Sequence, residues 1–395
     1  MKDNIGKMYL FQFFFGMYFI GGVLVPFFTD WGGLSFRDIT LLQAWFVFWM
    51  FALEVPTGAV ADYFGRKVSI IIGCVAFILG IIVYGIAPRF ELFLIGEFLW
   101  ALSRALISGA DGAVVYDTLL GDNREGDSKK IFGRFRSFFL VGMAVGSPIG
   151  SVIAHFIGLR EVLFFMILPA TLALAVSLTL NEPKRGYKKT ADFLANKTSP
   201  YKILTVGVRY FWNHKIIKIL ATDQIIVWTM IFMMLWIYQV VLKELGVGII
   251  YFGIVHAIIL LVQIISLNRL DFMERVLGSK KRYIFVSALV PALGLIILAF
   301  THWAPAAIFL IVLIMGLGLP RRVILENYMH KHIDSDKRAT VISTVSMFRS
   351  GFQAICYPII GLMVDWSLWT SIFILGIIVF VVAFASRVKD EHLID

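Results

Sequence analysis

The sequence predicts an all-α membrane protein with twelve transmembrane helices, arranged as two halves of six. Three observations predict it. The 395 residues are 59% hydrophobic and 16% charged, against about 25% charged in ordinary soluble domains, and the mean hydropathy is +0.84. Apolar segments of about 20 residues recur from one end to the other, the length at which a helix crosses hydrocarbon with its backbone satisfied internally. Lysines and arginines gather in alternate gaps between those segments, as they do in cytoplasmic loops. The formal charge of +10 therefore belongs to loops beside a lipid bilayer, and no nucleic-acid partner is expected.

Taken in order, the spans fall at 8–28, 37–60, 68–87, 91–120, 132–157, 161–180, 217–242, 247–267, 283–301, 305–329, 340–364 and 368–387. One side receives Arg66 and Lys67, then Arg124, Lys129 and Lys130, then Lys184, Arg185, Lys188 and Lys189. It goes on to receive Arg269, Arg275, Lys280, Lys281 and Arg282, and finally Lys331, Lys337 and Arg338. The other side receives Arg37, Arg89, Arg160 and Lys243. That bias predicts a multi-pass protein of the cell (inner or plasma) membrane with both termini cytoplasmic. The first apolar run is flanked like a spanning helix and followed by others, which predicts no cleavable signal. Cys74 and Cys356 both lie inside apolar segments, so neither a disulfide framework nor a metal site is expected, and no cofactor is implied.

The longest break in hydrophobicity, about 181–216, separates six spans from six. The expected domains are residues 1–182, a linker over 183–216, and residues 217–395. Within the linker, the stretch from Tyr201 to Lys218 mixes apolar and basic residues, and reads either as a helix lying on the membrane surface or as a solvated connection. A short internal echo supports two related halves. Phe135-Arg136-Ser137 opens the fifth span, and Phe348-Arg349-Ser350 stands at the corresponding place in the eleventh.

Between the second and third spans lies Gly58-Ala59-Val60-Ala61-Asp62-Tyr63-Phe64-Gly65-Arg66-Lys67, with Glu54 and Pro56 just upstream. Its glycines permit close approach or a sharp turn. The pattern G-x-x-x-D-x-x-G-R-K resembles the signature loop between helices 2 and 3 of major facilitator superfamily transporters. The resemblance implies a latch at the cytoplasmic gate. Asp62 would pair with Arg66 or cap a helix terminus, and Arg66 could also reach Asp117 near the end of the fourth span. The alternative is a tight hairpin whose Arg66 and Lys67 only set topology. The equivalent loop of the second half, Asp271 to Arg282, has lost the spacing.

The fourth span carries Glu97, Arg104 and Asp111, each seven residues apart. Seven residues are nearly two turns, so the three form one stripe with about 10 Å between neighbours; Ser108 is read onto the same stripe. Charges inside a membrane face a polar cavity or a partner. They read either as a proton-coupling path along a substrate cavity or as a fixed ion network. Glu54, Arg321 and Arg349 are further candidates for that cavity. One of the pair Arg321 and Arg322 would face it beyond a helix break at Gly316, Gly318 and Pro320, whereas Arg349 could instead brace its own helix. In the fifth span, Gly142, Gly146 and Gly150 stack on one face. With Pro148 they resemble the antiporter signature of the superfamily's exporters, departing at Ser147 and Ser151; a packing stripe with a proline kink is the other reading.

The resemblance covers the whole chain and implies the major facilitator fold: two six-helix bundles, a binding cavity between them, and alternating access. It implies a secondary transporter of a small-molecule substrate, exporting something hydrophobic or amphipathic in exchange for protons, and a monomer. A proton-coupled symporter of a small organic anion or nutrient is the alternative. No H-E-x-x-H, G-x-S-x-G or phosphate-binding loop occurs, and no loop is long enough for a catalytic domain, so an enzyme is not expected.

Overall fold

A computed structural model describes residues 3–182, 208–333 and 338–394, all of them helix, turn or connection. The expected linker helix lies mostly outside the described residues; its end, 208–213, is helical. Among the described residues, ten helices are long and apolar enough to cross a membrane. The chain divides into two compact units: Met1–Asn196 with Gly248–Ala257, and Lys197–Val247 with Ile258–Asp395.

The first unit contains α1 (Asp3–Gly16), α2 (Phe36–Phe64), α3 (Arg66–Ile86), α4 (Phe90–Gly121), α5 (Ser128–Phe156) and α6 (Leu159–Leu178). Two of the expected spans are not among the ten membrane-length helices. The first is not one straight helix. It stops at Gly16, resumes as a 3-10 turn at Phe19–Gly22, and ends in a π-helical turn at Phe27–Trp31. That turn is held by rings: Phe27 and Phe28 both pack edge-on against Tyr84 and Phe93. The other is α4, which carries charged residues along its length.

The break in the first span has a partner in α5. A Cβ placed on Gly142 would meet Phe13 O at 2.3 Å, and one on Gly150 would meet Phe19 O at 1.8 Å. At Gly146 the approach to Met17 is 3.0 Å. The glycine stripe thus lets the backbone of α5 lie against the N-terminal segment, as small residues do between membrane helices. Pro148 sits inside α5 without ending it. Ser151 Oγ accepts a hydrogen bond of 2.7 Å from Gly253 N, so the same face also receives Gly248–Ala257.

The second unit contains α7 (Lys215–Phe232), α8 (Met234–Glu244), α9 (Phe252–Asn268, whose first turns belong with the first unit), α10 (Leu270–Leu277), α11 (Lys280–Leu298), α12 (Ala304–Gly318), α13 (Arg321–Lys331), α14 (Arg338–Trp366) and α15 (Leu368–Ala385). Leu319 and Pro320 separate α12 from α13, which is the break the glycine and proline spacing predicts. After α15 the chain returns across its own unit. Val388 and Leu393 are buried with Phe211, Ile217 and Tyr328. Lys280 Nζ donates to Leu393 O at 3.1 Å, and His332 Nε2 lies 2.8 Å from His392 O.

Candidate functional site

The loop between α2 and α3 is one residue long. Gly65 takes φ +105°, a conformation that L side chains rarely adopt, and α3 begins at the next residue. Gly58 has a different setting, because a Cβ there would meet nothing within 4 Å. The Arg66 guanidinium reaches back to α4, where it forms an ion pair with Asp117 and donates to Ala113 O at 2.6 Å. Both members of the pair are about a fifth exposed, at 21% and 19%. Asp62 is exposed at the end of α2.

The start of α3 is capped by a residue that the sequence reading missed. Glu182 accepts Arg66 N at 2.9 Å through one carboxylate oxygen and Lys67 N at 2.8 Å through the other. An anion at a helix N-terminus satisfies orphan amides and meets the positive end of the helix dipole. Nothing local in the sequence singles Glu182 out, since it follows α6 and lies 116 residues from Arg66. Asn4 ties the same region together, donating to Asn181 O at 2.8 Å and accepting from Asn181 N at 3.0 Å.

Along α4 the two acids are buried, Glu97 at 2% and Asp111 at 4% exposure. Each has an amide as its hydrogen-bonded side-chain partner. Gln43 Nε2 on α2 donates to Glu97 Oε1 at 2.7 Å, and Gln12 Nε2 on α1 donates to Asp111 Oδ2 at 2.8 Å. Arg104 lies between them in sequence, half-buried, with its guanidinium 5.7 Å from the Phe139 ring centre. Among the described residues no ion pair within 4 Å includes Glu97, Arg104 or Asp111. The charges of Arg136 and Arg104 act on Asp111 through space. Ser108 and Glu54 are exposed and stand apart from both acid–amide pairs. An amide suits an acid that changes protonation state. Its N–H₂ donates to a carboxylate, and its carbonyl accepts from a carboxylic acid after a flip.

In the second unit Arg321 is the buried member of its pair, at 1% exposure. Its guanidinium forms an ion pair with Asp223, donates to Ile284 O, and donates to Ser287 Oγ at 2.7 Å. Ser386 Oγ donates to the second Asp223 oxygen at 2.7 Å. A charge this deep is held by a partner of opposite sign. Arg322 is the partly exposed member of the pair. It lies 3.6 Å from Glu326 and 5.2 Å from the centre of the Trp228 ring. Arg349 approaches the same ring at 5.8 Å and donates to Ser346 Oγ at 3.2 Å. Among the described residues no group of three or more His, Cys, Asp or Glu is placed to hold a metal ion.

The chain as a whole is similar to known proteins. The chain is 29% identical over 154 residues to Multidrug resistance protein 1 of Bacillus subtilis (strain 168), a match that spans 39% of this chain and 38% of that protein's length. Solved structures resemble nearly all of it. The nucleoside transporter NupG superposes with a TM-score of 0.78 at 15% identity, covering 98% of each chain. A D-xylose-proton symporter gives 0.72 at 15% identity, covering 98% of this chain and 97% of that one. A POT family transporter in complex with 5-aminolevulinic acid gives 0.75 at 14% identity, covering 99% and 96%. At such identities the likeness is one of fold. The family model of the Major Facilitator Superfamily matches residues 8–350, well over half of the chain. On that match, this helical membrane protein, with its single-glycine turn flanked by charged residues, belongs to the Major Facilitator Superfamily, a family of transporters and not of enzymes.

Proposed function

We propose that this transporter exports a small hydrophobic or amphipathic molecule in exchange for protons, by alternating access. The observation that carries the reading is the pair of buried acids on α4, each facing a neutral amide. A fixed ion pair would hold its charges in one state. An acid facing an amide keeps a hydrogen bond whether or not it carries a proton, which is what a coupling site requires. The likeness of part of the chain to a multidrug resistance protein supports export, as does the glycine stripe of α5. The Arg66–Asp117 pair, with Asp62, Gly65 and Lys67 around the turn, acts in this reading as a latch that one state makes and another breaks. The charge bias of the loops supports a reading with both termini in the cytoplasm.

The test uses purified protein in sealed inside-out vesicles and a panel of amphipathic fluorescent solutes. Acidifying the lumen should drive solute inward, and Glu97→Gln and Asp111→Asn should each uncouple flux from the pH gradient. Full gradient-driven flux in both variants would remove these acids from the mechanism. A second reading, symport of an organic anion or nutrient, is favoured by Arg322 and Arg349, which meet at the Trp228 ring. Accumulation only in right-side-out vesicles with an acidic exterior would select it.

A further inference from the structure

The short helix α10 departs from what its position suggests. The corresponding connection in the first unit is a single glycine, whereas here eight residues form a helix ended by Gly278 at φ +81°. Phe272 and Val276, one turn apart, are 54% and 67% exposed. Met273 and Leu277, one position on, turn partly inward. Around them Arg269, Arg275, Lys281 and Arg282 are all exposed. Large apolar side chains set among cations on a short helix suit the boundary between headgroups and acyl chains.

Behind α10 lies a cavity of about 190 Å³, lined by Phe272, Met273 and Val276 of α10, Tyr283 and Val286 of α11, and Leu317 of α12. Since Phe272 and Val276 are both exposed and part of its wall, the cavity reaches the surface. Of the two hydroxyl-bearing residues in its lining, Tyr283 and Ser287, the serine is already engaged with Arg321 and Ile284 O. Such a space gains little from water, which needs several polar partners. Measured against a water's share of about 30 Å³, it has room for roughly six groups of that size.

We propose that this cavity and its cationic rim form a binding site for one anionic phospholipid, with an acyl chain between α10 and α11 and the phosphate held by Arg275 and Arg282. Charge complementarity selects this occupant. Residues 269–282 carry five basic side chains and two acidic ones, and one of the acids, Glu274, is engaged by the Tyr328 hydroxyl at 2.6 Å. Asp390, the nearby acid from beyond α15, is engaged by Lys281 N at 2.9 Å. The inner wall, Ser287, touches the guanidinium that pairs with Asp223, so lipid in the cavity would pack directly against the ion pair that holds α7 to α13.

Purified full-length protein in detergent would be incubated with dioleoyl phosphatidylglycerol or dioleoyl phosphatidylcholine, and bound lipid counted by native mass spectrometry. One phosphatidylglycerol should be retained in preference to phosphatidylcholine. Arg275→Gln and Arg282→Gln should each reduce that preference by about fivefold, the factor that corresponds to about 1 kcal/mol per cation at an anionic surface. Val286→Trp should displace the chain, and Leu317→Phe serves as the milder filling variant if the tryptophan prevents folding. Equal retention of the two lipids would overturn the proposal. So would undiminished retention in whichever filling variant folds, or competition by free glycerol phosphate, which would make the site one for a soluble anion.

Discussion

Replacing Asp223 with alanine leaves the Arg321 guanidinium in place, 1% exposed, with a carbonyl and a hydroxyl as its remaining partners. Removing one member of a buried pair costs about 3–5 kcal/mol, because the surviving charge is stranded. Arg321→Met strands the carboxylate instead, with Ser386 Oγ as its remaining side-chain donor, and should cost a similar amount. Asp223→Leu combined with Arg321→Met removes both charges, and such exchanges are often neutral or favourable. What remains is the loss of donors to Ser287 and Ile284 O, about 1–2 kcal/mol. For a unit of this size each kcal/mol moves the midpoint by roughly 2–4 °C. Each single variant should then melt about 6–20 °C below the unmodified protein, and the double variant about 2–8 °C below it. Thermal unfolding of the four proteins in one detergent, followed by near-UV circular dichroism, gives all three differences. A double variant as unstable as the two singles added together would refute the reasoning, since Arg321 would then be held independently of Asp223.

Two glycines of the first unit should behave in opposite ways. Gly150→Ala drives a methyl into the Phe19 carbonyl, which as backbone cannot swing aside, so a loss of about 1–3 kcal/mol is expected. Gly58→Ala meets open space inside α2 and should gain about 0.5–1 kcal/mol; thermal unfolding of both variants checks the pair. The segment beyond α15 should loosen in acid. Burial pushes the His392 imidazole below its ordinary range, Lys389, His332 and Lys215 push the same way, and Glu391 opposes them. The released segment therefore binds the proton more readily, so docking is at full strength above about pH 6.5 and is lost as pH falls below it. Hydrogen exchange at 388–393 should quicken on acidification beyond its intrinsic rate, and His392→Gln should abolish that extra response.

Much of this protein was legible because hydrophobicity and loop charge are local properties. Helix positions follow from runs of apolar residues, the Leu319–Pro320 break from its glycines and proline, and Asp117 from its place one loop away from Arg66. Partnerships across long separations were not legible. Gln43 is one polar residue in an apolar span, and its tie to Glu97 exists only once α2 lies against α4. The break in the first span left no mark in hydropathy, because Met17 and Tyr18 are no less membrane-compatible than their neighbours. Arg321 and Arg322 are chemically alike, and a rotation of about 100° per residue decides which is buried.

The carboxylate caps on α3 and α11 bear on how the protein is made. Glu182 reaches back 116 residues to the amides of Arg66 and Lys67, and Asp390 reaches back 109 residues to Lys281 N. In both units a long helix begins with amides whose acid is synthesised much later, after α6 in one and after α15 in the other. Until then the amides of Arg66 and Lys67 have water or lipid headgroups for partners, whereas the start of α11 already has Ser279 Oγ, which accepts Arg282 N at 3.1 Å. Each carboxylate cap thus closes only after the chain has been made through α6 or α15, and a chain stalled before residue 182 would leave the start of α3 open to solvent and to proteases.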